Sequence, residues 1–102
     1  MTKKEQTIDT YNNNAQGFAN KFDGMGARIH DIEATLALVP KENPNVLEIG
    51  CGNGRDAVEI CKQTKNYAGL DISRKLIGLA RKKVSRGRFE VADIETYTFP
   101  KH

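Results

Sequence analysis

The chain has 102 residues, 38% hydrophobic and 28% charged, with 16 basic against 13 acidic side chains for a formal balance of +3. These values fit one compact globular unit rather than a disordered chain, and the mixing of bases with acids along the sequence argues against a nucleic-acid partner. No apolar run approaches the roughly 18 residues of a membrane span, "MTKKEQT" lacks a secretory core, and Cys51 and Cys61 make no disulfide framework, so reduced thiols in a cytoplasmic protein are expected.

Ile8, Tyr11, Ala15, Phe18 and Phe22 recur at steps of three and four, which puts them on one face of a helix. Three asparagines at 12–14 and Gly17 weaken that helix, so a break is expected there. "DGMG" at 23–26 reads as a loop, and Met25, Ile29, Ile32, Leu36 and Val39 form a second helical stripe closed by Pro40. "PKENP" is a turn. The period then changes. "NVLEIG" is short, rich in strand formers and bounded by Pro-Asn and Gly50, which predicts a strand. Arg55 to about Lys65 reads as a helix with Ala57, Val58, Ile60, Cys61 and Thr64 inward. "YAGLD" at 67–71 is a second strand. Ser73 suits the N-cap of a helix running to about Lys83 that buries Leu76, Ile77, Ala80 and Val84. Arg81, Lys82 and Lys83 at its end complement the helix dipole. Arg88–Ala92 is a third strand.

Strands alternating with helices of this length imply right-handed crossovers and a parallel sheet. The expected fold class is α/β: a Rossmann-like sheet in the spatial order 3-2-1, half of a doubly wound unit. Residues 1–40 form N-terminal cap helices, and residues 41–102 the first half of the Rossmann-like domain.

In such a sheet a ligand lies beyond the carboxyl ends of the strands, where strand order reverses. Here that place is the turn with Gly50, Gly52 and Gly54. Glycine lets the chain turn sharply and lets a ligand approach the main chain, and the following helix N-terminus favours an anionic group. A tight ligand-free strand-to-helix connection would use the same residues. Asp71 ends the second strand about 20 residues on, where an acid can hold both ribose hydroxyls; it also suits the start of a helix. Asp93 follows the third strand, and Glu48 lies in the first. A dinucleotide fingerprint would place a third glycine where Arg55 stands, which speaks against an NAD-binding oxidoreductase half-domain.

On these residues the chain resembles class I S-adenosylmethionine-dependent methyltransferases of the small-molecule branch. "VLEIGCGNG" is similar to their first motif, "GLDIS" to the second and "FEVADIETYTFP" to the third, while "YNNNAQGF" resembles the N-terminal cap helix. The resemblance implies S-adenosylmethionine as cofactor and a small-molecule methyl acceptor. It implies that Gly50, Cys51 and Gly52 line the methionine part, with Glu48 at the foot of that pocket; that Asp71 holds the ribose and Ile72 packs on the adenine; and that Asp93 reaches the adenine amino group, with the Ile94 backbone beside the ring. Tyr11 and Phe18 would close a lid and Arg28 would approach the cofactor carboxylate, the other reading being helix-face packing and a solvated arginine. No catalytic residue and no metal are assigned, and His30 and His102 read as surface histidines.

A family member would continue after "TFPKH" into a fourth strand beside the first. The chain is therefore expected to be the N-terminal portion of a methyltransferase, inactive alone, with a natural short product completed by a partner as the competing reading. The edge of the first strand would pair with a second copy, giving a homo-oligomer. A non-catalytic nucleoside- or nucleotide-binding subunit is the alternative function.

Overall fold

The computed structural model describes residues 1–39 and 41–99; Pro40, expected to close the second stripe, and His102 lie outside them. Eight elements follow in chain order: α1 (Lys3–Asn13), α2 (Ala15–Met25), α3 (Ile29–Ala37), β1 (Val46–Ile49), α4 (Arg55–Gln63), β2 (Tyr67–Asp71), α5 (Arg74–Lys83) and β3 (Arg88–Val91). The strands form one parallel sheet in the order β1-β2-β3, with Val46 opposite Tyr67 and Gly69 opposite Phe89. This is the expected Rossmann-like half-sheet.

Alternation along the strands decides what each face does. Tyr67 and Phe89 point to the face covered by α4 and α5, where they join Ala57, Ile60, Ile77, Ala80 and Val84 in the core. Their rings meet edge-on at 5.7 Å. Leu47 and Ile49 project to the other face and are 40% and 55% exposed. The turn before β1 is fastened to the turn before β2: Thr64 donates from Oγ1 to the Pro44 carbonyl at 2.6 Å, and Asn66 donates from Nδ2 to the Asn43 carbonyl at 2.8 Å. These bonds hold the register that brings all three strand ends to one level.

The N-terminal helices depart from expectation in detail. The first stripe is split at Asn14, whose side chain and backbone N–H both donate to the Thr10 carbonyl, at 2.8 and 3.2 Å. A short amide side chain competing for backbone acceptors ends the helix there, while Gly17 continues inside α2. "DGMG" is not a loop as a whole: Asp23, Gly24 and Met25 form the last turn of α2, and Gly26 caps it at φ 75°. Of the second stripe, Ile32 and Leu36 are half-buried, whereas Met25 and Val39 lie outside α3 and are exposed, as is Ile29. The stripe has too little facing surface to bury all five.

Candidate functional site

The chain leaves β1 through three glycines with positive φ: Gly50 at 73°, Gly52 at 56° and Gly54 at 86°. The Gly50 and Cys51 N–H groups both donate to the Leu70 carbonyl, at 2.8 and 3.0 Å, so the turn is tied to the end of β2. At Gly52 a β-carbon would lie 3.3 Å from the Phe22 ring. At Gly54 it would press on Ala80 at 3.4 Å, so the glycine also lets α4 start close against α5.

Asp71 joins the turn to the next helix. One carboxylate oxygen accepts the Gly52 N–H at 2.9 Å and the other accepts the Ser73 N–H at 2.9 Å. Each oxygen keeps a second lone pair for a ligand donor. Ser73 is fully buried and caps α5, its hydroxyl accepting the Leu76 N–H at 3.2 Å.

Glu48 accepts the Tyr67 hydroxyl at 2.6 Å. Burial raises the Glu48 carboxyl above the usual range, opposed by that hydrogen bond. Burial and the Glu48 contact raise the Tyr67 phenol in turn. Burial, with Asp71 and Glu48 nearby, pushes the Cys51 thiol up to about 12, so it lines the turn as a neutral thiol rather than a nucleophile. Beyond β3, Asp93 pairs with Lys4 of α1 at 2.8 Å, and Lys4 also reaches Glu95 at 2.6 Å. The Lys4 hydrogen bond, then the Glu95 N–H, hold the Asp93 carboxyl below the usual range.

Two recesses meet over the glycine turn. The larger, about 420 Å³, runs past Tyr11, Gly50, Gly52, Asp71, Ile72, Asp93 and Ile94. The smaller, about 150 Å³, is bounded by Arg28, Glu48, Gly50, Cys51, Gly52 and Asn53. Phe22, Gly50 and Gly52 belong to both. The fold thus brings ten of the eleven sequence-derived residues to one continuous hollow. Phe18 is the exception: it lines a separate hollow with Lys3, Gln6 and Thr10, its ring 4.9 Å from that of Tyr11.

Arg28 edges the smaller recess, but its guanidinium is taken by Asp56, at 3.2 Å from Nε and 3.0 Å from Nη2. Burial raises the Asp56 carboxyl, yet hydrogen bonds from Arg55 and Arg28 outweigh it and hold the group below its ordinary value. His30 is exposed on α3. Both cysteines are free.

Three site residues escaped the sequence reading. Phe22 was visible as part of the first helical stripe but was not placed against Gly52. Asn53 sits in the glycine turn, 1% exposed, donating from Nδ2 to Asp23 at 3.0 Å and to the Ala19 carbonyl at 3.4 Å. Its Oδ1 is the one buried side-chain polar atom without a hydrogen-bond partner among the described residues. Lys4 carried no sequence signal. Among the described residues no three His, Cys, Asp or Glu side chains gather as metal ligands, and no helix is long and apolar enough to cross a membrane.

Residues 46–102, more than half of the chain, match the family described as a methyltransferase domain. Among solved structures the chain is similar to a TehB-like SAM-dependent methyltransferase from Corynebacterium glutamicum, with 26% identity, 83% of this chain and 46% of that one covered, and a TM-score of 0.66. It is similar in fold to DesVI of Streptomyces venezuelae, with 21% identity, 79% and 36% covered, and a TM-score of 0.64. The same holds for the plantazolicin methyltransferase BpumL, solved with SAH and a triazolic desmethylPZN analog: 20% identity, 97% and 45% covered, TM-score 0.62. This chain spans less than half the length of each. No curated protein matches it. With the glycine turn, the strand-end acids and the parallel half-sheet in place, the matched span settles the family: the chain belongs to the methyltransferase domain family and has the Rossmann-like fold of its class I S-adenosylmethionine-dependent members.

Proposed function

We propose that the chain binds S-adenosylmethionine across the glycine turn and serves methyl transfer to a small-molecule acceptor. The observation that carries this reading is the meeting of two recesses over Gly50 and Gly52, with Glu48 in one and Asp71 and Asp93 in the other. The donor set suits a sulfonium nucleoside. Asp71 has lone pairs left for the ribose hydroxyls after accepting two backbone N–H groups. Ile72 and Ile94 flank the base end, and Asp93 offers an acceptor for an exocyclic amino group. The unpartnered Oδ1 of Asn53, on a side chain that lines the smaller recess, supplies a buried acceptor that a ligand ammonium would satisfy. Gly50, Cys51 and Gly52 let the methionine part lie against the main chain, and Tyr11 lines the larger recess from α1.

The bound cofactor would supply an electrophilic methyl group for in-line displacement. This chain's residues bind and orient the cofactor and exclude water; positioning of this kind can supply about 7–11 kcal/mol of a barrier. Arg28, paired with Asp56, shapes one wall of the smaller recess. The test is calorimetry with S-adenosylhomocysteine, NADH and ATP. Selective binding of the first supports the reading. Binding of ATP with no response to S-adenosylhomocysteine would establish the nucleotide-binding module instead.

Self-association belongs to the same proposal. Among the described residues β1 is one of the two edges of the sheet, and its Leu47 and Ile49 side chains are exposed; an unpaired edge of this kind invites a second strand. Light scattering at rising concentration should show a dimer, and a clean monomer would refute the pairing.

A further inference from the structure

Helix α1 buries no residue, although it crosses the mouth of the larger recess. Its attachment is polar at both ends. In the first turn Lys4 reaches Asp93 at 2.8 Å and Glu95 at 2.6 Å. In the last turn Asn12 Oδ1 accepts the Ser73 hydroxyl at 2.7 Å and the Lys75 N–H at 3.3 Å. The two anchors are eight positions apart, about 12 Å along a helix, and Tyr11 lies over the hollow between α1 and the strand tips. Between the anchors Ile8 and Tyr11 are only half-buried, with the Tyr11 ring against Phe18, so the polar contacts at the two ends carry a large share of the docking and can open locally.

The charged anchor falls at the base end of the site. Lys4 is 44% exposed and Glu95 70%, so salt reaches the pair. The other end carries neutral hydrogen bonds, which salt weakens little. We propose that α1 is a gate over the crevice, fastened by the ionic latch of Lys4 to Asp93 and Glu95, and that release of this latch sets how fast a nucleoside ligand enters and leaves. The proposal rests on the ligand site described above. It adds a control on that site: lifting α1 requires breaking the contact at the acid expected to meet the base.

The test uses the whole chain and its Lys4→Gln variant, with Lys3→Gln as a control that removes the same charge from an exposed position of α1. Amide exchange over residues 3–13 is measured without ligand, and S-adenosylhomocysteine association and dissociation are measured at low and high salt. Lys4→Gln should speed α1 exchange and both rate constants by about threefold or more, as expected for losing partly exposed ion pairs. High salt should speed the unaltered chain and leave the variant nearly unchanged. Equal exchange in the variant and the unaltered chain would overturn the latch, as would an equal effect of Lys3→Gln. Failure of S-adenosylhomocysteine to bind the unaltered chain would count against the ligand reading, while exchange in the absence of ligand would still decide the latch.

Discussion

Helices α5 and α1 are of similar length, 10 and 11 residues, and both lie beside the crevice, yet they are held in opposite ways. α5 buries Leu76, Ile77 and Ala80 and is capped by Ser73. α1 has no fully buried residue, only Ile8, Tyr11 and Asn12 half-buried, and its ends are fixed by Lys4 and Asn12. Apolar burial at about 1.5–3 kcal/mol per large side chain makes an element part of the cooperative core; exposed polar contacts make one that opens locally. The site is therefore built from a rigid wall, which presents Asp71 and the glycine turn, and a loosely held cover, which presents Tyr11.

The largest expected effect tests the rigid side. Ile77→Ala, at a fully buried position, should lower global stability by about 2–5 kcal/mol in denaturant unfolding. Ile8→Ala on α1 should cost less than about 1 kcal/mol, and equal losses would erase the contrast. Next comes the hinge between the two sides. Gly52→Ala sets a β-carbon at φ 56° and 3.3 Å from Phe22. It should cost about 1–2 kcal/mol and weaken S-adenosylhomocysteine binding by about tenfold or more, because it intrudes where the ligand meets the main chain.

Acid sensitivity separates the two regions more finely. The folded-state Asp56 carboxyl lies below its ordinary value. As pH falls through the ordinary carboxylate range the unfolded chain takes up the proton first, so stability is lost until the folded group protonates too. Asp56→Asn should flatten the stability profile below about pH 4. Glu48 acts in the opposite sense: its raised carboxyl favours folding while protonated, and that contribution is lost as pH rises through its folded value. The smallest effect concerns the cover alone. Thr2→Ala removes the capping box of α1, in which Thr2 accepts the Glu5 N–H at 3.0 Å. Amide exchange should rise within α1 while the global midpoint moves by no more than about 0.5 kcal/mol.

The rigid wall was legible in the residues because it is made of local periodicities and short-range chemistry. Ile60, Leu76, Ile77, Ala80 and Val84 are all buried as their spacing predicts, and Asp71 reaches the turn because parallel pairing aligns Ile49 with Leu70. The cover was less legible. Met25, Ile29 and Val39 follow a helical period yet stay exposed, since a period says which side chains share a face and not whether anything lies opposite. Phe22 and Phe18 sit on one stripe, but only Phe22 enters the crevice.

The sequence by itself determined the order of elements, the parallel half-sheet, the glycine turn and the acids at the strand ends. Each follows from backbone sterics, from side-chain period, or from residues a few positions apart. Only the tertiary structure decided that Lys4 clasps Asp93 and, across 91 positions, Glu95, that Asp56 claims Arg28, and that the Asn53 side-chain Oδ1 is buried with no hydrogen-bond partner among the described residues. Polar side chains at long sequence separation choose partners by where the packed apolar elements happen to deliver them, and that delivery is a property of the assembled fold.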